Sequence, residues 1–396
     1  MLDLRSRFSR FLGAEPDRLH FAAHSHHPWP DVTRDAQLQA WDDAARLMDH
    51  KWEHILGPVL EEFRAHVAGH LNLPDPSTIA VAPNTHEFLK RILSCFDRRP
   101  IRILATDGEF HSFSRQIARL EEDGAVAVTR VPVEPFATFE DRLLSAAQES
   151  DHDLVFVSQV FFNSGFAADV ETLTGAAGGR AMMVIDGYHG FMARPTDLAA
   201  IAHRAFYLAG GYKYAMAGEG ACFMHCPPGW GPRPADTGWY AAFGDLSKAG
   251  GAGVAYSPDG WRFMGATFDP SGLYRFNAVM RWLKDEGITP ANIHAHAGAL
   301  QRSFLRRVAG SAMFRSAALA PPVAETRRGN FLTFDMANAQ AIHRSLHELR
   351  VVTDVRGQRL RLGFGLYQTE EEVDDLVRRI DEAGALESPP HEMRPA

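Results

Sequence analysis

The chain has 396 residues, 45% of them hydrophobic, three cysteines and a formal net charge of −8. That length supports a large core and two or three domains, while the acidic balance without a long basic run argues against nucleic acid or an anionic membrane as partner. Three scattered cysteines describe no disulfide framework, and neither the N-terminal MLDLRSRFSRFLGAEP nor any later stretch approaches the roughly 20 apolar residues that cross a bilayer, so a reducing cytoplasm is the expected location.

After an irregular start, residues 31–49 and 53–71 carry helical periodicity and predict two amphipathic helices, the second ending near Asn72-Leu73-Pro74. Strands then alternate with helices: strand 79–81, a helix from about Glu87, strand 102–105, a helix from about Ser112, and strands at 126–131, 154–158, 181–185 and 205–208. Such alternation predicts an α/β fold with a mostly parallel sheet that binds ligands at the carboxyl ends of its strands. Residues 236–271, rich in Gly, Pro and aromatics, read as long functional loops. From Gly272 a helix carries the chain into strand 330–335, helix 338–349, strand 359–364, helix 370–383 and a frayed end, SPPHEMRPA. The division this suggests is a large α/β domain over 30–271 and a smaller α+β domain built from 1–29 and 272–396.

Lys213 is the residue on which the functional reading turns. It sits in YLAGGYKYAMAGEG, framed by glycines, small residues and tyrosines, just past the apolar run AFYLA. The preceding run AMMVI ends at Asp186, with His189 three residues on. Two strand ends thus present a carboxylate, an imidazole and an amine. Pyridoxal phosphate needs such a set: a lysine to hold its aldehyde as a Schiff base, and a carboxylate to keep the pyridine nitrogen protonated. Taken singly, Asp186 is as well read as a cap and Lys213 as a solvated loop lysine; together they point to chemistry. Cys222 and Cys226 flank His225 in CFMHC, but a zinc site needs further ligands at suitable spacing, so no metal is expected.

On Asp186, His189 and the Tyr212-Lys213-Tyr214 triplet, the sequence resembles the fold-type I pyridoxal phosphate enzymes of the class V aminotransferase superfamily, and within them kynureninase most. The resemblance covers nearly the whole chain. It implies a large domain with a mixed, mostly parallel seven-stranded sheet and a smaller α+β C-terminal domain. It further implies that Asp186 pairs with the pyridine nitrogen, that His189 lies beside the cofactor and that Tyr212 reaches the phosphate. Asn84 and Thr85, between a strand and a helix, fall where the family binds phosphate; a helix N-terminus suits an anion, though an ordinary N-cap explains the same residues. Phe110 resembles the phenylalanine that stacks on the ring, with a core phenylalanine as the alternative, and Ser158 a serine that contacts the cofactor.

Trp239, in Gly238-Trp239, resembles a tryptophan near the phosphate. Thr267 falls in a loop that, in the superfamily, reaches the neighbouring subunit's cofactor and so implies a homodimer with shared active sites. Arg361 falls on the strand whose arginine clamps the substrate carboxylate, with Arg356 as a rival. His24 and Ser25, in His24-Ser25-His26-His27-Pro28, replace the loop that approaches the substrate, and Asn163 departs from the family's aromatic or basic residue. The implied activity is kynureninase-like hydrolysis of the Cβ–Cγ bond of a small amino-acid substrate. The alternatives are a class V aminotransferase, a β-lyase on another amino acid, or a non-catalytic binding protein of the same fold. Cysteine desulfurase is disfavoured, because the last cysteine, Cys226, lies beside the lysine segment and not on a later loop.

Overall fold

Short apolar runs, buried on both faces, build the centre of the molecule. A computed structural model describes residues 2–248, 253–311, 313–314, 317–321 and 324–387; the C-terminal SPPHEMRPA lies outside them. Strands β1 (Ile79–Ala82), β2 (Ile101–Thr106), β3 (Val126–Val131), β4 (Leu154–Ser158), β5 (Met182–Asp186), β6 (Ala205–Gly210) and β7 (Cys222–His225) form one seven-stranded sheet in the order β1-β7-β6-β5-β4-β2-β3. β7 is antiparallel to β1 and β6, and every other pair is parallel. Buried strands such as β4, β6 and β7 read as continuous apolar runs because helices cover both faces. β3, at the sheet edge, instead exposes Ala127, Thr129 and Arg130.

Several elements differ from expectation for local reasons. The CFMHC segment is strand β7: His225 is a buried peg, its ring nitrogens bound to Thr78 Oγ1 at 2.8 Å and Ala202 O at 2.7 Å. The helix predicted from Gly272 is two helices, Ser271–Asp285 and Pro290–Val308. The break is made by Gly287, at φ +66°, and by a capping box between Thr289 and Asn292 ahead of Pro290. The second N-terminal helix is interrupted by a π-turn at Ile55–Val59, where Pro58 has no N–H to give. It resumes as Leu60–Leu71.

The core on the sheet continues beyond the β-strands through Leu273–Ile293. Phe63 holds its layers together, packing at 4.4 Å on Phe276 of helix Ser271–Asp285 and at 6.2 Å on Phe223 of β7. A second core surrounds an antiparallel four-stranded sheet in the order Asp354–Arg356, Arg359–Gly363, Phe331–Asp335, Ala318–Ala320, backed by helices Pro290–Val308, Ala339–Glu348 and Glu370–Glu387. The N-terminal segment belongs to both: Leu19–His20 pairs in parallel with Val351–Val352, Phe21 enters the second core, and Ala23 the first. Among the described residues no helix is long and apolar enough to cross a membrane.

Phe63 is fully buried where three elements meet. Phe63→Ala is expected to lower stability by about 3–5 kcal/mol, the usual cost of removing a buried phenylalanine. Urea unfolding followed by circular dichroism checks it; a loss under about 1 kcal/mol would show that the layers close without this ring.

Candidate active site

The parallel strands β4, β5 and β6 end side by side, with Ser158 opposite Asp186 and Asp186 opposite Leu208 in the register. Their carboxyl ends and the N-terminus of helix Thr85–Leu93 enclose a cavity of about 420 Å³. Asn84, Thr85, Phe110, Ser158, Asp186, His189, Tyr212 and Lys213 all line it. These residues come from segments spread over more than a hundred positions, and the strand-end arrangement brings them together.

Lys213 follows β6 through Gly210 and Gly211. A Cβ at Gly210 would run into Tyr188 Oη and Cys222 Sγ, so only glycine lets the strand pass and deliver the lysine. The buried Nζ donates to His24 O at 2.9 Å and Ser25 O at 3.5 Å, with the Tyr212 ring centroid 5.1 Å away. Burial, then the charge of Arg361, lowers the amine to about 7, with Asp186 opposing. Near neutrality a large fraction is therefore the unprotonated nucleophile.

Asp186 Oδ1 accepts the Tyr188 N–H at 3.0 Å. Burial pushes its carboxyl up to about 6, while that amide and Lys213 pull it down, so it is ionised at neutral pH. His189 is neutral: burial and the charges of Lys213 and Arg361 hold it well below the ordinary imidazole range. Asn84 caps its helix, Oδ1 accepting the Glu87 N–H at 3.1 Å, so capping and cavity lining coexist at this residue. Phe110 meets Phe162 edge-on at 5.4 Å, and both rings wall the cavity.

Other expected residues stand apart. Trp239 is 41% exposed and packs on Tyr240 at 4.1 Å; Thr267 is exposed, and neither lines the cavity. Arg361 is buried behind the cavity wall, bound to Asp354 and to the Phe162 carbonyl, whereas Arg356 is exposed, 3.8 Å from Asp354. His24 and Ser25 meet Lys213 through their backbone carbonyls, while the His24 ring stacks on Phe331 at 4.4 Å. The loop histidines diverge: His26 stacks on Tyr212 and His27 packs against Tyr214 and Tyr367. Asn163 lies beside Arg359 in a separate pocket of about 180 Å³.

Tyr188, Phe162 and Cys222 are cavity residues that the sequence reading passed over. Tyr188 was signalled by its place between Asp186 and His189; Cys222 was masked by its metal-like spacing. Its thiol lies 3.4 Å from Tyr188 Oη, and burial pushes it up to about 12. Cys95 and Cys226 are pushed up to about 12 by burial as well.

The donor set fits pyridoxal 5′-phosphate. One cavity holds an amine that is nucleophilic at neutral pH, an ionised carboxylate, an aromatic wall and the amide end of a helix suited to an anion.

The sequence profile of the family described as aminotransferase class-V matches residues 30–376. The chain belongs to that family. Among curated relatives of this class-V protein is the cysteine desulfurase CsdA of Escherichia coli strain K12, 23% identical over 336 residues and 82% of each chain. A cysteine desulfurase of Yersinia pestis is 22% identical over 384 residues, 88% of this chain and 89% of the relative. Two solved structures of the cystine C–S lyase C-DES share the fold at a TM-score of 0.80. One, a mutant with glycine covalently linked to its PLP cofactor, is 18% identical and covers 96% of this chain and 100% of its own; the other, bound to its product cysteine persulfide, is 17% identical and covers 94% and 99%. These similarities lend the kynureninase resemblance no support.

Burying Lys213 costs stability. Its folded value near 7 lies below the unfolded 10.5, so the unfolded chain holds one more proton between those limits and stability rises with pH across that window. Lys213→Met is therefore expected to raise the melting temperature of cofactor-free protein at pH 7 by several degrees, with the gain shrinking toward pH 10. The same variant should show no absorbance band beyond that of free pyridoxal phosphate. A gain independent of pH would contradict the lowered amine.

Proposed function

We propose that this protein is a pyridoxal phosphate-dependent lyase that acts on an α-amino acid and expels a group from its Cβ. The observation that carries the reading is the convergence, in one cavity, of an amine titrating near 7 and an ionised carboxylate at adjacent strand ends. When bound, pyridoxal phosphate supplies the electron sink that makes the substrate α-proton acidic. Lys213 would hold the cofactor through its amine and, when free, would serve as the general base for the substrate α-proton. Asp186 keeps the proton on the ring nitrogen. The N-terminus of helix Thr85–Leu93, with Asn84, Thr85 and Tyr212, would hold the phosphate, and Ser158, His189 and Phe110 would hold the ring.

Arg361 binds the substrate carboxylate once its fork turns from Asp354. The backbone of His24 and Ser25 closes the same side. Trp239 and Thr267, displayed away from their own cavity, belong in this reading to a shared site across a homodimer.

The cysteines favour a leaving group that departs free. All three lie among the described residues, and burial raises every one, so none offers the thiolate needed to take sulfur from the substrate. A cystine- or cysteine-type substrate would then lose its sulfur as a persulfide or sulfide, leaving the three-carbon skeleton to end as pyruvate and ammonia. One observation favours a second reading, kynureninase-like Cβ–Cγ hydrolysis: Phe110, Phe162 and His111 form an aromatic cluster, His111 and Phe162 at 5.1 Å, suited to an aryl side chain.

Loaded protein incubated with cystine, cysteine and kynurenine in parallel separates the two. Pyruvate with released sulfur supports the lyase; alanine from kynurenine supports the second reading; no product above a cofactor-only background rejects both. Arg361→Leu is expected to raise KM about a hundredfold, equivalent to about 3 kcal/mol for a charge-assisted carboxylate contact, with a smaller effect on kcat. An unchanged KM would remove Arg361 from the substrate site.

A further inference from the structure

Glu109 lies in the connection between β2 and helix His111–Glu122 and is 3% exposed. Its Oε1 accepts from Thr106 Oγ1 at 2.6 Å and from the Ser158 N–H at 3.3 Å, and its Oε2 lies 2.6 Å from Ser158 Oγ. Thr106 Oγ1 itself accepts the Gly108 N–H at 3.1 Å, which leaves its one proton for Glu109. Ser158 in turn lines the cavity beside its register partner Asp186.

These contacts fix where a proton on Glu109 resides. Oε1 already accepts two hydrogen bonds, so a neutral acid carries its proton on Oε2 and donates it to Ser158 Oγ. A serine hydroxyl has one proton to give. If Oε2 is bare, Ser158 donates to it and shows the cavity only lone pairs. If Oε2 is protonated, Ser158 accepts from it and keeps its own O–H for the cavity.

We propose that Glu109 is a neutral carboxylic acid at neutral pH, and that by donating Oε2–H to Ser158 Oγ it makes Ser158 a hydrogen-bond donor toward an anionic oxygen bound in the cavity. Glu109 is thus a positioning residue acting through Ser158. Burial pushes its carboxyl up to about 8; the Ser158 and Thr106 hydrogen bonds oppose this, and the Asp186 charge adds to it. Asp186, on β5, is the ionisable neighbour, with the Lys213 amine beyond it. On the turn itself Asp107 directs its carboxylate to the Val133 N–H at 2.9 Å, and His111 stands exposed. The two buried carboxyls are therefore set apart, Asp186 ionised and Glu109 neutral.

The sign of the pH effect follows. The folded value of Glu109 lies above the unfolded 4.5, so its contribution to stability is complete below about 4.5 and is lost as pH rises through about 8. Glu109→Gln keeps a donor and an acceptor without the charge. Infrared difference spectra of the full-length protein at pH 7, wild type minus Glu109→Gln, should show the C=O stretch of a protonated carboxylic acid. That band should vanish as pH passes about 8 and shift in Ser158→Ala, where the acid O–H has lost its acceptor. The wild-type melting temperature should fall more steeply from pH 5 to 8 than that of Glu109→Gln.

A spectrum showing Glu109 ionised at pH 7, a band unmoved by Ser158→Ala, or equal pH slopes of melting would overturn the proposal. These readings need no cofactor. A further titration with pyridoxal phosphate rests on the proposed function: relative to Glu109→Gln, which shares the titration of Lys213, wild-type affinity should drop about tenfold from pH 7 to 9, as a hydrogen bond to a charged group is lost. Equal drops in both proteins would also count against Glu109. A wild type that binds no pyridoxal phosphate would reject the cofactor reading instead, and the infrared and melting results would still decide the role of Glu109.

Discussion

Everything at the candidate site depends on ionisable groups withdrawn from water at the ends of three parallel strands. An amine, an imidazole and two carboxyls in bulk water would titrate at their ordinary values and do little at pH 7. Dehydration moves the amine down, the carboxyls up and the imidazole into its neutral form. The sheet makes this dehydration affordable: its central strands are covered on both faces, and their backbone groups are paired with neighbouring strands. Arg361 and Asp354 extend the same logic into the four-stranded sheet, where the two residues face each other across adjacent strands and form an ion pair.

The parallel sheet was legible because buried strands are apolar throughout and short. Leu154–Ser158 and Val126–Val131 fall where periodicity placed them. The site was legible where chemistry-bearing residues end such runs: Ser158, Asp186 and, just past β6, Lys213. It was less legible where a side chain acts through another. Glu109 looks like an ordinary turn carboxylate until β4 is laid beside β2 and Ser158 comes within 2.6 Å. Strand β7 was hidden for a related reason, since Cys222, His225 and Cys226 carry metal-ligand chemistry in sequence but bury their side chains in three dimensions. Reaction type was not legible from Tyr212-Lys213-Tyr214, because the residues that hold a cofactor are shared by chemistries that part company only at the substrate side.

The aromatic content follows the same division of labour. Phe63, Phe223 and Phe276 cement helices to the sheet without lining the cavity, whereas Phe110 and Phe162 stand at right angles on its wall.

Lys213 rests on carbonyl oxygens of a segment whose preceding residues are stitched to the other core through Leu19–His20 and Val351–Val352. The amine, at the carboxyl end of the seven-stranded sheet, is thereby tied to a segment that is anchored in the second core. Arg361, Asp354 and Arg356 of the second sheet also act on the charge of this nitrogen, so its basicity answers to groups from both cores.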